Sequence, residues 1–195
     1  MGLDLDVPLP ATPLGAAFAA AGCRDMGEAF RFVHGLPYGR NGHREGRGDA
    51  HSDEVRVVLD EGRGTCSSKH VLLARLAAEA GIDAELRLGL FLMDGENTPA
   101  VVEVLARAGL QCVPEAHCFL QLGARRLDLT FPGSDGTCSL AFVEEHRVAP
   151  EMLGRVKIPW HQEHLGRWAR AAGLDAAWVW DVREACIAAL SARAR

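Results

Sequence analysis

The segment that most constrains this chain is Gly62-Arg63-Gly64-Thr65-Cys66-Ser67-Ser68-Lys69-His70, a glycine-flanked turn running straight into apolar residues at Val71, Leu72, Leu73, Leu76, Ala77 and Ala80. The repeat has helical spacing, and Gly81 supplies a C-terminal stop, so a helix is expected from Cys66 to about Ala80. A cysteine at its first position meets the unpaired N–H groups and the positive end of the helix dipole, which favour the thiolate. The question this raises is whether a base and an orienting carboxylate follow downstream. His117, in Pro-Glu-Ala-His-Cys-Phe, and Asp128, in Arg-Arg-Leu-Asp-Leu-Thr, are the candidates.

The elements around this helix are read from period and punctuation. Pro8, Pro10 and Pro13 predict an irregular arm over 1–12, followed by an Ala-rich helix over 13–21. Asp25, with Glu28 three residues on, resembles a capping box and opens a helix to about Val33. A long polar loop follows, from Gly35 to Asp53, and residues 54–60 read equally as helix or strand. Residues 84–93 alternate, with Leu86, Leu88, Leu90 and Leu92 on one face and Arg87, Gly89 and Phe91 on the other, which predicts a strand. Thr98 and Pro99 predict a helix start, with the helix running to about Ala108. Two strands, 115–122 and 125–129, flank a hairpin signal at Gly123-Ala124. Helices over about 161–172, closed by Gly173, and about 176–192, capped by Asp175, complete the chain. Segregated helices and antiparallel strands indicate an α+β class. The length of 195 residues points to a single domain over 1–195.

Bulk composition removes several function classes. The net charge is −5 with no dominant cluster of Lys and Arg, so nucleic acid is not an expected partner. No apolar run approaches the roughly 18 residues of a membrane span. The start, Met-Gly-Leu-Asp-Leu-Asp, lacks a basic region followed by an apolar one, so a secretory signal is not expected. The six cysteines (23, 66, 112, 118, 138 and 186) are irregularly spaced in a chain that is not small, which points to reduced thiols and a cytoplasmic setting. All four tryptophans lie between Trp160 and Trp180, where anchoring of C-terminal helices to the core is the favoured reading and an aromatic wall beside a cleft the other.

Hairpin arithmetic tests the base and the carboxylate. With an even-numbered loop, His117 and Asp128 fall on the same face, directly opposite or one diagonal step apart; a three-residue loop separates them unless a bulge restores the register. In such a pair the imidazole takes the thiol proton while the carboxylate fixes its tautomer and stabilises the imidazolium. An oxyanion donor is also required: the Cys66 N–H is the natural first, and Asn41 or Tyr38 in the long loop are candidates for the second.

Gly64-Thr65-Cys66 heading an apolar helix that ends Ala80-Gly81-Ile82-Asp83-Ala84, followed by Ala116-His117-Cys118-Phe119 and Asp128-Leu129-Thr130, resembles the transglutaminase-like superfamily over roughly residues 60–132. The resemblance implies a papain-like α+β fold, with a nucleophile-bearing helix packed on an antiparallel sheet and extra C-terminal helices. It implies Cys66 as nucleophile, His117 as base and Asp128 as orienter. Asp83 stands where proline is usual, Glu85 where arginine is usual, and Cys118 follows the histidine where tryptophan is usual. Arg63-Gly64-Thr65-Cys66 only approximates the Arg-Gly-Gly-x-Cys signature of arylamine N-acetyltransferases, which share the related fold.

The expected activity is therefore cysteine-dependent acyl transfer on an amide or ester carbonyl through a thioester, without a cofactor. The substrate is a small molecule, peptide or protein. Hydrolysis is preferred over transamidation, since water is always available and no amine-binding acid cluster is evident. Two other readings stand beside it: a binding module with an idle triad, and a zinc protein using some of His43, His51, His70, Cys112 and Cys118. Two local alternatives are weaker. In one, Lys69 acts as a Cys-x-x-Lys partner, against the expectation that it reaches solvent. In the other, His70 serves as a base one helical turn from Cys66. His161 and His164 share a helix face and read as a solvated helix start.

Overall fold

A computed structural model describes residues 5–42 and 50–193. Among them the chain is mixed α+β, with seven α-helices and a four-stranded antiparallel sheet. The helices are α1 (Pro13–Ala20), α2 (Met26–Gly35), α3 (Ala50–Glu61), α4 (Cys66–Glu79), α5 (Val102–Ala108), α6 (Leu153–Ala171) and α7 (Ala176–Arg193). The strands are β1 (Ala84–Asp94), β2 (Cys112–Leu122), β3 (Arg125–Leu127) and β4 (Glu144–Arg147), in the order β3-β2-β1-β4. The fold divides into two compact units. One holds the chain up to Arg87 together with Cys118–Ser139, the other Leu88–His117 together with Leu140–Arg195.

The first unit is built on α2 and α4. Met26, Ala29, Phe30 and Val33 recur at helical spacing along α2 and are all fully buried, as are Leu72, Leu73, Leu76 and Ala77 on α4. Asp25 caps α2 by accepting from the Glu28 N–H at 2.8 Å. Glu28 reaches one residue further back than a capping box requires, accepting from the Arg24 N–H at 2.8 Å. The region read as helix or strand is the end of helix α3.

β2 and β3 are joined by a two-residue loop, with Leu122 paired to Arg125, Gln121 to Arg126 and Leu120 to Leu127. Even parity was the condition for same-face placement of residues 117 and 128. The second strand of the hairpin is shorter than expected, ending at Leu127, because the Asp128 N–H turns to the Gly136 carbonyl at 3.0 Å.

The second unit packs Phe91, Met93, Val101, Leu105 and Val113 against Leu165, Ala169, Val179 and Cys186, with Trp168 and Trp180 lying on that cluster. Several expectations are corrected here. β1 is covered on both faces from Leu88 to Phe91, and it is Leu92 that is exposed, at 38 %, while Met93 is buried, so the inward face of the strand changes. The segment after Thr98 begins as a 3-10 turn (Pro99–Val101); the Thr98 hydroxyl donates to the Asn97 side chain instead of capping. α6 starts at Leu153, well before residue 161, and carries Pro159 within it. His161 accordingly sits in mid-helix and is fully buried, not at a solvated start. Its Nε2 donates to the Pro114 carbonyl at 2.9 Å, while its Nδ1 has no partner among the described residues. Pro114 stands in β2 beyond the three residues that pair with β3. Beside it Glu115 and Arg183 form a buried two-pronged pair at 2.6 and 2.7 Å.

Gly89 shows how tight this packing is. A Cβ there would stand 2.3 Å from the Phe142 ring, which also lies edge-on to Phe91. Gly89→Ala is expected to cost about 1–3 kcal/mol in denaturant unfolding, with part of the loss restored in Gly89→Ala/Phe142→Leu; additive losses would count against the clash. Burial lowers the affinity of His161 for its proton below the ordinary imidazole value of 6.5. The unfolded chain then binds more protons, so stability should fall as pH drops below that value. Melting temperatures of wild type and His161→Gln measured against pH should diverge in that window, and parallel curves would refute the assignment.

Candidate active site

The helix start at Cys66 is shaped by its neighbours in the chain. Thr65 is the N-cap: its hydroxyl accepts from the Ser68 N–H at 3.3 Å, and Ser68 Oγ accepts from the Thr65 N–H at 2.9 Å. This is a reciprocal capping box with serine in place of glutamate. Gly64 is required by close approach, since a Cβ there would lie 2.9 Å from both Ser68 Oγ and Lys69 Cγ. Cys66 follows as the first helical residue, 7 % exposed, with its sulfur 3.9 Å from Ser67 Oγ.

The loop of residues 36–42 runs alongside this turn. The Gly39 N–H donates to the Gly64 carbonyl and the Gly64 N–H to the Pro37 carbonyl, each at 3.2 Å. Asn41 latches the two segments: its amide nitrogen donates to the Arg63 carbonyl at 3.0 Å and to Glu61 at 3.2 Å, and its oxygen accepts from Ser68 Oγ at 2.9 Å. Both amide hydrogens are thus engaged, which corrects the expectation of Asn41 as an oxyanion donor and makes it a positioning residue for the turn. Tyr38 is buried, bridges to Gly64 and packs on Phe131 with ring centroids 5.2 Å apart.

Lys69 overturns the expectation of a solvated side chain. It is fully buried, and its ammonium donates to three backbone carbonyls: Leu36 at 2.5 Å, Thr130 at 2.8 Å and Leu129 at 3.3 Å. Burial lowers its pKa to about 8, with Asp128 opposing the shift. His70, also fully buried, is a second tie. Its Nδ1 lies 2.7 Å from the Cys66 carbonyl and its Nε2 accepts from the Leu129 N–H at 2.9 Å. These partners fix the neutral Nδ1–H tautomer, because one nitrogen faces an acceptor and the other a donor. A ring committed at both nitrogens is a poor general base for Cys66, and the reading of His70 in that role is set aside.

Asp128 lies beyond β3 and turns the chain on itself, its Oδ1 accepting from the Thr130 N–H at 3.1 Å. The same oxygen is 3.9 Å from His70 Nε2, a separation too long for a hydrogen bond and one that joins two acceptors. His117 belongs to the second unit. It is 7 % exposed on β2, edge-on to Phe91 at 6.1 Å between centroids and nearly parallel to Phe142 at 6.5 Å.

Of the suggested zinc ligands, His43 lies outside the described residues, as does the side chain of His51. Among the described residues no three of His, Cys, Asp and Glu form a group able to hold a metal ion, and no helix is long and apolar enough to cross a membrane. Sequence reasoning missed the burial of Lys69 and the double tie of His70. The signal was present, since residues 69, 72, 73 and 76 form one helical stripe. No protein-family model, curated protein or solved structure matches this chain.

Replacing Lys69 by Met leaves three carbonyls without their donor, and an unfolding free-energy loss of about 3 kcal/mol or more is expected. Between about pH 8 and the ordinary lysine value of 10.5, the unfolded chain binds the proton that folded Lys69 has released. Wild-type stability should therefore gain a rising contribution across that window that Lys69→Met lacks. A chemical-denaturation series over pH 7–11 reads both effects, and an unchanged midpoint in the variant would contradict them.

Proposed function

We propose that this protein is a transglutaminase-like cysteine enzyme that transfers acyl groups from an amide or ester carbonyl, with hydrolysis as the preferred outcome. The observation that carries the reading is the position of Cys66. It is the first residue of a 14-residue helix whose cap, glycine and flanking loop all fix that turn. There the field of the helix favours a thiolate.

In this mechanism the Cys66 thiolate attacks the carbonyl, and the oxyanion is held by N–H groups of the α4 start. The leaving amine or alcohol takes a proton from His117 and departs, leaving a thioester. Water, deprotonated by His117, attacks that thioester and returns the thiol. Asp128 holds His117 in the tautomer that accepts the thiol proton and stabilises the imidazolium. Hairpin register supports this pairing. The loop between β2 and β3 has two residues, the even parity that the sequence argument requires for residues 117 and 128 to share a face. The Lys69 and His70 ties hold residues 129 and 130 against α4, which supports a fixed location for Asp128.

The test is iodoacetamide labelling of the intact protein, followed thiol by thiol across pH 5–9. Cys66 is expected to alkylate faster than the other five thiols below pH 7, and His117→Ala to slow it by about 10²-fold, the scale of a lost general base. Asp128→Asn should shift the pH midpoint of labelling while leaving Cys66 present and accessible. Equal, slow labelling of all six thiols would replace this reading with the idle binding module.

A further inference from the structure

Ser67 places a second sulfur beside the nucleophile. Its Oγ stands 3.9 Å from Cys66 Sγ and 3.7 Å from Cys118 Sγ, so one small hydroxyl touches both thiols. Cys118 is fully buried and Cys66 is 7 % exposed, so the first is shielded and the second is the one an oxidant reaches. We propose that Cys66 and Cys118 are a redox pair, in which Cys118 resolves an oxidised Cys66 as a reversible disulfide.

The chemistry balances with hydrogen peroxide as oxidant. The Cys66 thiolate attacks one peroxide oxygen; an S–O bond forms, the O–O bond breaks, and the departing hydroxide takes up a proton as water. Cys66 is then a sulfenic acid. The Cys118 sulfur attacks the Cys66 sulfur; the S–S bond forms, the S–O bond breaks, and hydroxide leaves with the Cys118 proton as a second water. Two thiols have supplied two electrons. Ser67 Oγ, in contact with both sulfurs, is placed to pass that proton. Closure brings the sulfurs to the ~2.05 Å of a disulfide. Selectivity over three of the other cysteines has a physical basis. Burial raises the pKa of Cys23 and Cys112, and that of Cys186 to about 11, which keeps them as slow thiols. Cys66 instead heads a helix.

The functional consequence rests on the acyl-transfer reading: a sulfur tied to Cys118 cannot attack a carbonyl, so oxidation halts turnover and protects the nucleophile from irreversible oxidation. The pairing itself stands on the two thiols alone.

The folded wild-type protein is treated with stoichiometric hydrogen peroxide, and the product is followed by intact mass and by fragmentation of its peptides. A loss of two hydrogens is expected, located to a 66–118 link and reversed by dithiothreitol, and retained in Cys112→Ser. In Cys118→Ser, with Cys118→Ala as a second variant, one equivalent should instead leave Cys66 as a sulfenic acid, gaining one oxygen, and a severalfold excess of peroxide should carry it on to two or three oxygens while wild type stops at the link. A link from Cys66 to another cysteine would overturn the pair, as would over-oxidation of Cys66 at equal rates in wild type and both variants. Absence of the link with fast iodoacetamide labelling retained sinks the redox pair alone; a link formed without that labelling sinks acyl transfer alone.

Discussion

The ammonium of Lys69 is the interaction on which the geometry around Cys66 depends. An unpaired buried ammonium would cost several kcal/mol, so its three N–H groups must all be met. They are met by carbonyls from two distant places in the chain: Leu36, just past the end of α2, and Leu129 and Thr130, after β3. One side chain near the start of α4 thereby joins a helix end and a strand exit to the turn that carries Cys66. His70 repeats the device one residue on, using a neutral ring as both donor and acceptor. Polar ties of this kind are directional, and a small displacement of any partner leaves a buried group unmet. They fix position more sharply than apolar contact does.

The remaining order around Cys66 follows from the same economy of satisfied polar groups. Thr65 and Ser68 exchange hydrogen bonds, Ser68 goes on to Asn41, and Asn41 engages Glu61 and Arg63. Glycine at 64 lets this network close without steric conflict. A local capping motif becomes part of a wider brace, and the nucleophile candidate inherits its rigidity. The second unit uses a different device, a buried carboxylate–guanidinium pair beside an imidazole with one nitrogen unmet among the described residues.

Much of the fold was legible because its signals are local. The caps at Asp25 and Asp175, the C-terminal glycines Gly81 and Gly173 and the Gly123-Ala124 loop act within a few residues, and each is found where sequence places it. The misjudged parts share a cause as well. Lys69 was assigned to solvent on side-chain chemistry, although its stripe with Leu72, Leu73 and Leu76 pointed inward. α6 was started too late because Pro159 and a polar stretch mimic a boundary. Pro159 stands at the seventh position of that helix, which packs against α7. The outward face of β1 was misassigned at Leu92 because both sides of the strand are covered further up, and alternation carries no message there.

Sequence alone determined the α+β class, the type of most helices and of strands β1 to β3, and the placing of Cys66 at a helix start, since propensity, capping and period are properties of short segments. Only tertiary structure decided that Lys69 and His70 are internal ties, that Asn41 is a latch, and that Ser67 sits between two sulfurs. Each of these depends on at least one partner 27 to 61 residues away along the chain. Such partners leave no periodic trace, because a hydrogen bond to a backbone carbonyl asks nothing of the side chain at the residue that supplies it.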